Sequence, residues 1–397
     1  MAPDGINEQS LVPWLEAEVG LRTPLSFTLV AGGRSNITYF VDDAAGRRVV
    51  LRRPPLGMVL ASAHDMGREH RIISALGPTE VPVPETLALC HDDEVNGAPF
   101  YVMSYVPGHI VRNIAAAESA LTVDARRQAS LSMIDVLGAI HAVDVDAVGL
   151  GELGRKEGYV ARQLKRWNGQ LEQATSAVPP QLFEVHDALA ASIPEQGPPA
   201  IVHGDYRLDN CLLADDGNVQ AVLDWELCTL GDTMADVGLL MVYWNDPSDD
   251  PSLLNASATA VDGFPRKAEL LERYAKASGR DVSNVDYYTA FGFWKLACIV
   301  EGVYARYQAG VMGTTDPAAF EGFLRRAELV ERYGEVTGRD LAHVGFFEAF
   351  GEWKLACILQ GVLDRYRGGA MADDGTDPEA FAGRVQRLAE RAAARVT

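Results

Sequence analysis

The chain has 397 residues, 48% hydrophobic and 23% charged, enough apolar material to bury a sizeable core in two or three lobes. With 55 acidic against 35 basic residues its formal net charge is -20, which argues against nucleic acid or an anionic membrane surface as the main partner. Five scattered cysteines without a CxxC pair indicate neither a disulfide framework nor a zinc site, and no run of eighteen apolar residues occurs, so the expectation is a soluble cytoplasmic protein with reduced thiols.

Asn7 to Val19 carries apolar residues at Leu11, Trp14, Leu15 and Val19, the period of a lead-in helix. From Leu25 to Arg53 the pattern turns to short β-type runs, FTLV, ITYFV and RVVLR, separated by Ala31-Gly32-Gly33-Arg34-Ser35-Asn36 and by the turn Asp42 to Arg48. Ser62 to Leu76 reads as a helix, and strands follow at Glu85 to Cys90 and Phe100 to Val106. These elements predict a small α+β lobe, residues 1–106, with an antiparallel sheet. After Pro107-Gly108 the character shifts to long helical patterns at Val123 to Ala142, Tyr159 to Gln173 and Gln181 to Ile193. A second, mostly helical lobe is therefore expected over residues 107–322. Within it, Asn245 to Pro265 reads as a polar loop, long enough for a lid or a substrate-side segment.

The end of the chain repeats itself. Ala268 to Met312 aligns without gaps on Ala327 to Met371, with AELLERY, SGRD and AFGFWKLACIVEGV answered by AELVERY, TGRD and AFGEWKLACILQGV. Two copies are too few for a solenoid, so the reading is a duplicated helical hairpin: one copy packs into the lobe, and the second, in residues 323–397, is an appended element or a homodimer contact. A part in the chemistry is not expected of it.

The stretch IVHGDYRLDNCLLADDGNVQAVLDWE, Ile201 to Glu226, carries the chemistry. A short strand delivers His203-Gly204-Asp205, and Asn210 follows five residues after the aspartate. The turn Asp215-Asp216-Gly217-Asn218 then signals a hairpin whose returning strand ends at Asp224. Two carboxylates and an amide at one sheet edge are what is needed to hold Mg²⁺ and aim a hydroxyl at a phosphate. Asp205 would orient or accept the hydroxyl proton, Asn210 and Asp224 would face the metal, and Glu226 would share that work or orient a water.

The combination HGDxxxxN, hairpin and LDWE resembles the aminoglycoside phosphotransferase and choline kinase family, whose fold is the two-lobed protein-kinase-like one. The resemblance implies an ATP- and Mg²⁺-dependent transfer to a small-molecule hydroxyl. It makes Asp205 the catalytic residue, Asn210 and Asp224 the metal ligands, and His203 and Asp236 structural support. It also implies a nucleotide-covering loop with Gly32, Gly33 and Ser35, a helix glutamate at Glu69, and a hinge over Tyr101 to Val106, including Ser104 and Tyr105, that receives the adenine. Where the family has a lysine on the third strand this sequence has VVLRRPP, which puts Arg52 opposite Glu69. VLRRPP, the REHRI helix, HGDYRLDN and the WKLA helix are most similar to the kinase-like domain joined to acyl-CoA dehydrogenases, which would imply a hydroxylated acyl metabolite as acceptor.

Tyr159, Arg162, Gln163, Arg166 and Trp167 form one helical stripe, either a substrate-side face with Arg162, Arg166 and Trp167 in contact or a solvated face. An anionic acyl thioester would favour the two arginines, whereas a cationic aminoglycoside would favour the acidic loop Asp246 to Asp250. His64, His70, His91 and His141 show no ligand spacing and read as structural or exposed. Two further readings stand beside the kinase. One is a nucleotide-binding pseudokinase that regulates or scaffolds a partner, motivated by Arg52 and the duplication. The other is a metal-dependent hydrolase built on Asp205, Asp209 and Asp224, which would leave the glycine-turn lobe without a task.

Overall fold

The computed structural model describes residues 3–30, 36–56, 65–173, 180–246 and 258–292, together with the helical positions 294, 295 and 298. The expected glycine turn with Gly32, Gly33 and Ser35, residues 62–64 of the expected second helix, most of the expected polar loop after Asp246 and the second repeat copy lie outside the described residues.

The first lobe is a five-stranded antiparallel sheet in the order β1-β2-β3-β5-β4. Its strands are β1 (Ser26–Leu29), β2 (Ile37–Asp42), β3 (Arg48–Arg53), β4 (Thr86–Cys90) and β5 (Phe100–Ser104), with helices α1 (Glu8–Glu18), α2 (Met66–Leu76) and the single turn α3 (Asp93–Asn96). Side chains alternate across a strand, and β3 and β5 are buried on both faces. Val49 and Leu51 of β3, with Phe100 and Val102 of β5, pack under α1 through the fully buried Leu11 and Leu15. Val50 of β3, with Tyr101 and Met103 of β5, meets Ile72, Ile73 and Leu76 of α2 on the opposite face. The lead-in helix is thus the cover of the outer face, and each of its two core leucines contributes about 2 kcal/mol of apolar burial. The same alternation sorts the two arginines of VLRRPP. Arg52, paired with Tyr101 across β3 and β5, falls on the α2 side. Arg53 falls on the α1 side, where it donates to the carbonyls of Gly5 and Asn96.

The second lobe is built around α5 (Val123–Ala142), capped by Thr122, whose hydroxyl accepts from the Ala125 N–H at 3.2 Å. Around it lie α4 (Ile114–Ala120), α6 (Tyr159–Glu172), α7 (Pro180–Ala191), α8 (Met234–Tyr243) and α9 (Lys267–Ser278). Helix α9 opens the first repeat copy and packs along α5, with the Arg273–Asp135 and Arg127–Glu269 ion pairs flanking the contact. The following helix, 285–292 and on through Trp294, Lys295 and Cys298, buries Phe291, Trp294 and Cys298 in the same core. The first copy therefore packs into the lobe, a choice between the two copies that the sequence leaves open.

Two small ribbons lie between the helices. Strand β6 (Ala200–Val202) pairs antiparallel with β9 (Thr229–Gly231), an element the sequence reading does not contain. Strands β7 (Cys211–Leu213) and β8 (Val219–Val222) form the expected hairpin. Its turn glycine, Gly217, has φ 90°, and a Cβ there would lie 2.1 Å from the Ala125 carbonyl oxygen, so the turn can press on the start of α5 only as glycine. The hairpin is also tied to the segment after β5, because His109 and Leu213 exchange backbone hydrogen bonds.

Candidate active site

Strand β6 ends where His203-Gly204-Asp205 begins, and the backbone there is held from beneath. The N–H groups of His203 and Gly204 donate to the two carboxylate oxygens of Asp236 at 2.7 and 2.8 Å. Asp236 lies in the first turn of α8, fully buried, with His141 Nε2 3.3 Å away. Burial works against its charge, but the His141 hydrogen bond, the histidine charges and the Gly204 N–H together hold the carboxyl below its ordinary range. The His203 ring spans the loop, with Nε2 3.0 Å from the Leu223 carbonyl and Nδ1 accepting from the Asp205 N–H, both satisfied when the proton is on Nε2. Gly204 has φ 86°, and a Cβ would press on the Leu227 carbonyl oxygen at 2.9 Å. Tyr206 anchors the far side by donating to the Met133 carbonyl of α5.

This foundation presents Asp205, whose side chain keeps 27% of its exposure, at the bottom of a cleft between the lobes. Burial raises its pKa, opposed by the charges of Arg207, His203 and Lys295. Asn210 donates through Nδ2 to both the carbonyl and the carboxylate of Asp205, at 2.8 and 2.9 Å. That leaves the amide oxygen Oδ1 as the atom available to a cation. Leu223 N–H donates to the Asn210 carbonyl, bringing β8 and Asp224 alongside. Asp224 has φ 63°, a left-handed conformation uncommon outside glycine, asparagine and aspartate.

Arg52 reaches across from β3. Its Nε donates to Glu69 Oε2 at 3.0 Å and its Nη2 to Asp224 Oδ1 at 2.8 Å, so one guanidinium fork joins α2, the sheet and Asp224. Burial raises the Glu69 pKa, and Arg52 pulls it back. The Arg52 pKa is raised: burial disfavours its charge, and the carboxylates of Glu69, Asp224 and Glu226 outweigh it. Asn36, the residue that closes the glycine turn, donates to Glu226 at 3.3 Å. The cleft has a volume of about 790 Å³, within the range of small-molecule sites. Met103, Ser104, Tyr105 and Val106 line its hinge side, and Asp205, Asn210 and Asp224 line its floor. Ser104 is fixed by mutual hydrogen bonds with Glu85, and Tyr105 by edge contact with Phe40.

The α6 trio is not brought to this cleft as a set. Trp167 is buried in the helical core, its Nε1 donating to Gln163, and Arg162 donates to the Arg155 carbonyl before the helix. The aromatic members of the stripe face inward because Leu164 and Leu171 extend the same apolar face. Arg166 is exposed, and its charge is felt at Lys295. Three groups that sequence reasoning did not single out stand at the site. Arg207, two residues after Asp205, has Nε 2.8 Å from Asp209 Oδ1 and 3.4 Å from Asp205 Oδ2, and lies over the Tyr243 ring. Its place inside the motif was the available signal. Arg112 lines the cleft mouth, and Lys295 touches the loop from the repeat helix. The motif gives no hint of either. His141, read only as structural or exposed, supports Asp236.

The model of the phosphotransferase enzyme family matches residues 26–284. The chain belongs to this family. Acyl-CoA dehydrogenase family member 10 of Mus musculus is 36% identical over 311 residues, covering 77% of this chain and 29% of that protein. The chain spans 29% to 39% of the length of the curated relatives it matches. A crystal structure from Ralstonia eutropha JMP134, named as an aminoglycoside phosphotransferase, is 30% identical with TM-score 0.71, covering 84% of this chain and 98% of that one. Choline kinase of Cryptosporidium parvum shares 10% identity and a TM-score of 0.55 over 85% of this chain and 92% of that one, a likeness of fold alone. This phosphotransferase family member thus has the two-lobed, kinase-like α+β fold.

Proposed function

We propose that the protein transfers the terminal phosphoryl group of ATP to a hydroxyl of a small molecule, with Mg²⁺ as the accompanying metal. The observation that carries the reading is the Asp205–Asn210 pair at the cleft floor, fixed from below and facing Asp224 and the Arg52–Glu69 bridge. Phosphoryl transfer asks a protein mainly for position and charge. Asp205 is the group that would orient the acceptor hydroxyl and receive its proton. Asn210 Oδ1 and the Asp224 carboxylate would hold Mg²⁺, whose charge would be shared with phosphate oxygens. Two protein ligands suit Mg²⁺, which keeps the rest of its shell for phosphate and water. Ser104, Tyr105 and the backbone between Tyr101 and Val106 would take the base, and Gly32, Gly33 and Ser35 would cover the phosphates. Arg52, which bridges Glu69 and Asp224, would be the cation that meets the phosphates where the resemblance implies a lysine.

For the acceptor we propose a hydroxylated acyl compound. The similarity to acyl-CoA dehydrogenase family members supports it, as do Arg112 and Arg207 lining the cleft of a chain with net charge -20. The test incubates the protein with γ-labelled ATP or GTP, Mg²⁺ and a panel of hydroxyacyl thioesters, hydroxy acids and amino alcohols. Label should move to a hydroxyacyl member, and Asp205→Asn should lower turnover by about 10²–10⁴-fold while nucleotide affinity stays within about twofold. Stabilisation by Mg-ATP with no label transferred to any member would defeat the kinase reading in favour of a regulatory one.

A further inference from the structure

Among the described residues Lys295 is the one buried lysine, 6% exposed, and it comes from the repeat helix to which the sequence assigns only packing. Its ammonium donates to the Gly204 carbonyl at 2.8 Å. Burying an ammonium costs several kcal/mol, and a hydrocarbon side chain would fill the space without that cost, so packing alone does not account for the charge. What it touches does. The Gly204 carbonyl belongs to the planar peptide whose N–H is that of Asp205, so holding the oxygen sets the plane from which Asp205 departs. The N–H groups of His203 and Gly204 are held from α8 by Asp236. The three successive peptides that lead into Asp205 are thereby each held, the first two by an anion on their N–H groups and the third by a cation on its carbonyl.

We propose that Lys295 is a positioning residue of the transfer site, its ammonium pinning the Gly204 carbonyl and, with Asp236 on the preceding N–H groups, fixing the backbone that aims the Asp205 carboxylate. The proposal rests on the kinase reading for its kinetic consequence, while the clamp itself stands on geometry. Lys295 faces the carboxylates of Asp205 and Asp236 and the guanidinium of Arg166. The duplication supplies an internal control: Lys354 occupies the matching position in the second WKLACI segment.

The test compares Lys295→Met, Lys295→Arg and Lys354→Met in the full chain. Phosphate release from Mg-ATP and label transfer to the hydroxyacyl panel are followed together with hydrogen exchange of residues 203–210. Lys295→Met should lower kcat by about 10–100-fold, with KM for ATP within about twofold, and raise exchange in that segment alone. Lys295→Arg should recover part of both, and Lys354→Met should match the unaltered protein. Unchanged kcat and exchange in Lys295→Met would overturn the proposal. So would a loss of ATP affinity with exchange raised throughout, which marks a structural role, or an equal effect from Lys354→Met. If the unaltered chain transfers nothing and releases no phosphate, the kinase reading fails by itself. Faster exchange confined to 203–210 in Lys295→Met then still upholds the clamp, and unchanged exchange sinks it.

Discussion

Replacing Arg52 by methionine removes the only cation hydrogen-bonded to Glu69 among the described residues, and the cost can be worked from burial. Glu69 retains 2% of its side-chain exposure and Arg52 13%, so solvent cannot take over the pairing. A buried carboxylate left unpaired costs about 3–5 kcal/mol. The chain has a cheaper exit, which is to protonate Glu69. One pKa unit is worth about 1.36 kcal/mol, so protonating at pH 7.0 a carboxyl whose ordinary value is 4.5 costs about 3.4 kcal/mol, a ceiling on the electrostatic loss. The sign with pH follows. Without Arg52 the folded-state pKa of Glu69 rises further above its unfolded value. Because the carboxyl is already raised in the parent, the gap between variant and parent opens only above the parent's own folded value, grows by about 1.4 kcal/mol per unit, and levels off at the variant's higher one. Denaturant unfolding without nucleotide should show Arg52→Met about 1–3 kcal/mol less stable at pH 7.0 and less than about 1 kcal/mol less stable at pH 5.0. Arg52→Lys, which restores a cation, should stay within about 1 kcal/mol at both values. The Asp224 end of the fork, 30% exposed, adds about 0–1 kcal/mol. A gap equal at both pH values, or under about 1 kcal/mol at pH 7.0, would refute the view that Arg52 is what keeps Glu69 charged in place.

Asp236→Asn should cost about 1–3 kcal/mol at pH 7, because an amide can accept from only one of the two N–H groups of His203 and Gly204 and leaves the other buried without a partner. The depressed pKa of Asp236 makes its contribution present above its ordinary 3.8 and lost as pH falls through the lower folded value, so thermal unfolding of variant and parent should converge below about pH 4. A chain ending at residue 322 should fold and bind Mg-ATP within about twofold of the full length, since the first repeat copy already fills the core with Tyr288, Phe291, Trp294 and Cys298; aggregation or lost binding on truncation would show the second copy to be integral.

The site was legible in the sequence where its chemistry is local. Asp205 and Asn210 sit five residues apart on one loop, and the Asp216-Gly217-Asn218 turn returns the chain to Asp224 whatever surrounds it. The five strands were legible because apolar side chains alternate. That alternation also decides between Arg52 and Arg53, once β3 is known to be buried on both faces. What escaped depends on distant partners. Strand β9 is three residues long and exists because β6 lies beside it. Lys295 meets Gly204 across 91 residues of chain, and no spacing within either segment announces the meeting. Trp167 reads as half of a mixed aromatic and basic face, yet the helix turns it inward because Leu164 and Leu171 share its side.

The two lobes make unequal contributions to order at the site. From the helical lobe, Asp205 is held by contacts to buried groups: Asp236 and Lys295 on the preceding peptides, and Asn210 on the carboxylate. From the small lobe, Arg52 reaches Asp224, Asn36 the Glu226 side chain, and Arg68 the carbonyls of Glu226 and Cys228, while Arg71 donates to the Gly149 carbonyl and the Val222 N–H to that of Pro82. Several of these involve partly exposed groups, where an ion pair or hydrogen bond contributes on the order of 1 kcal/mol or less. The peptides that lead into Asp205, gripped from α8 and from the repeat helix, do not depend on these links. The loop that carries Asp205 is thus set within the helical lobe, whereas the placement of Asp224 also draws on the small lobe through Arg52.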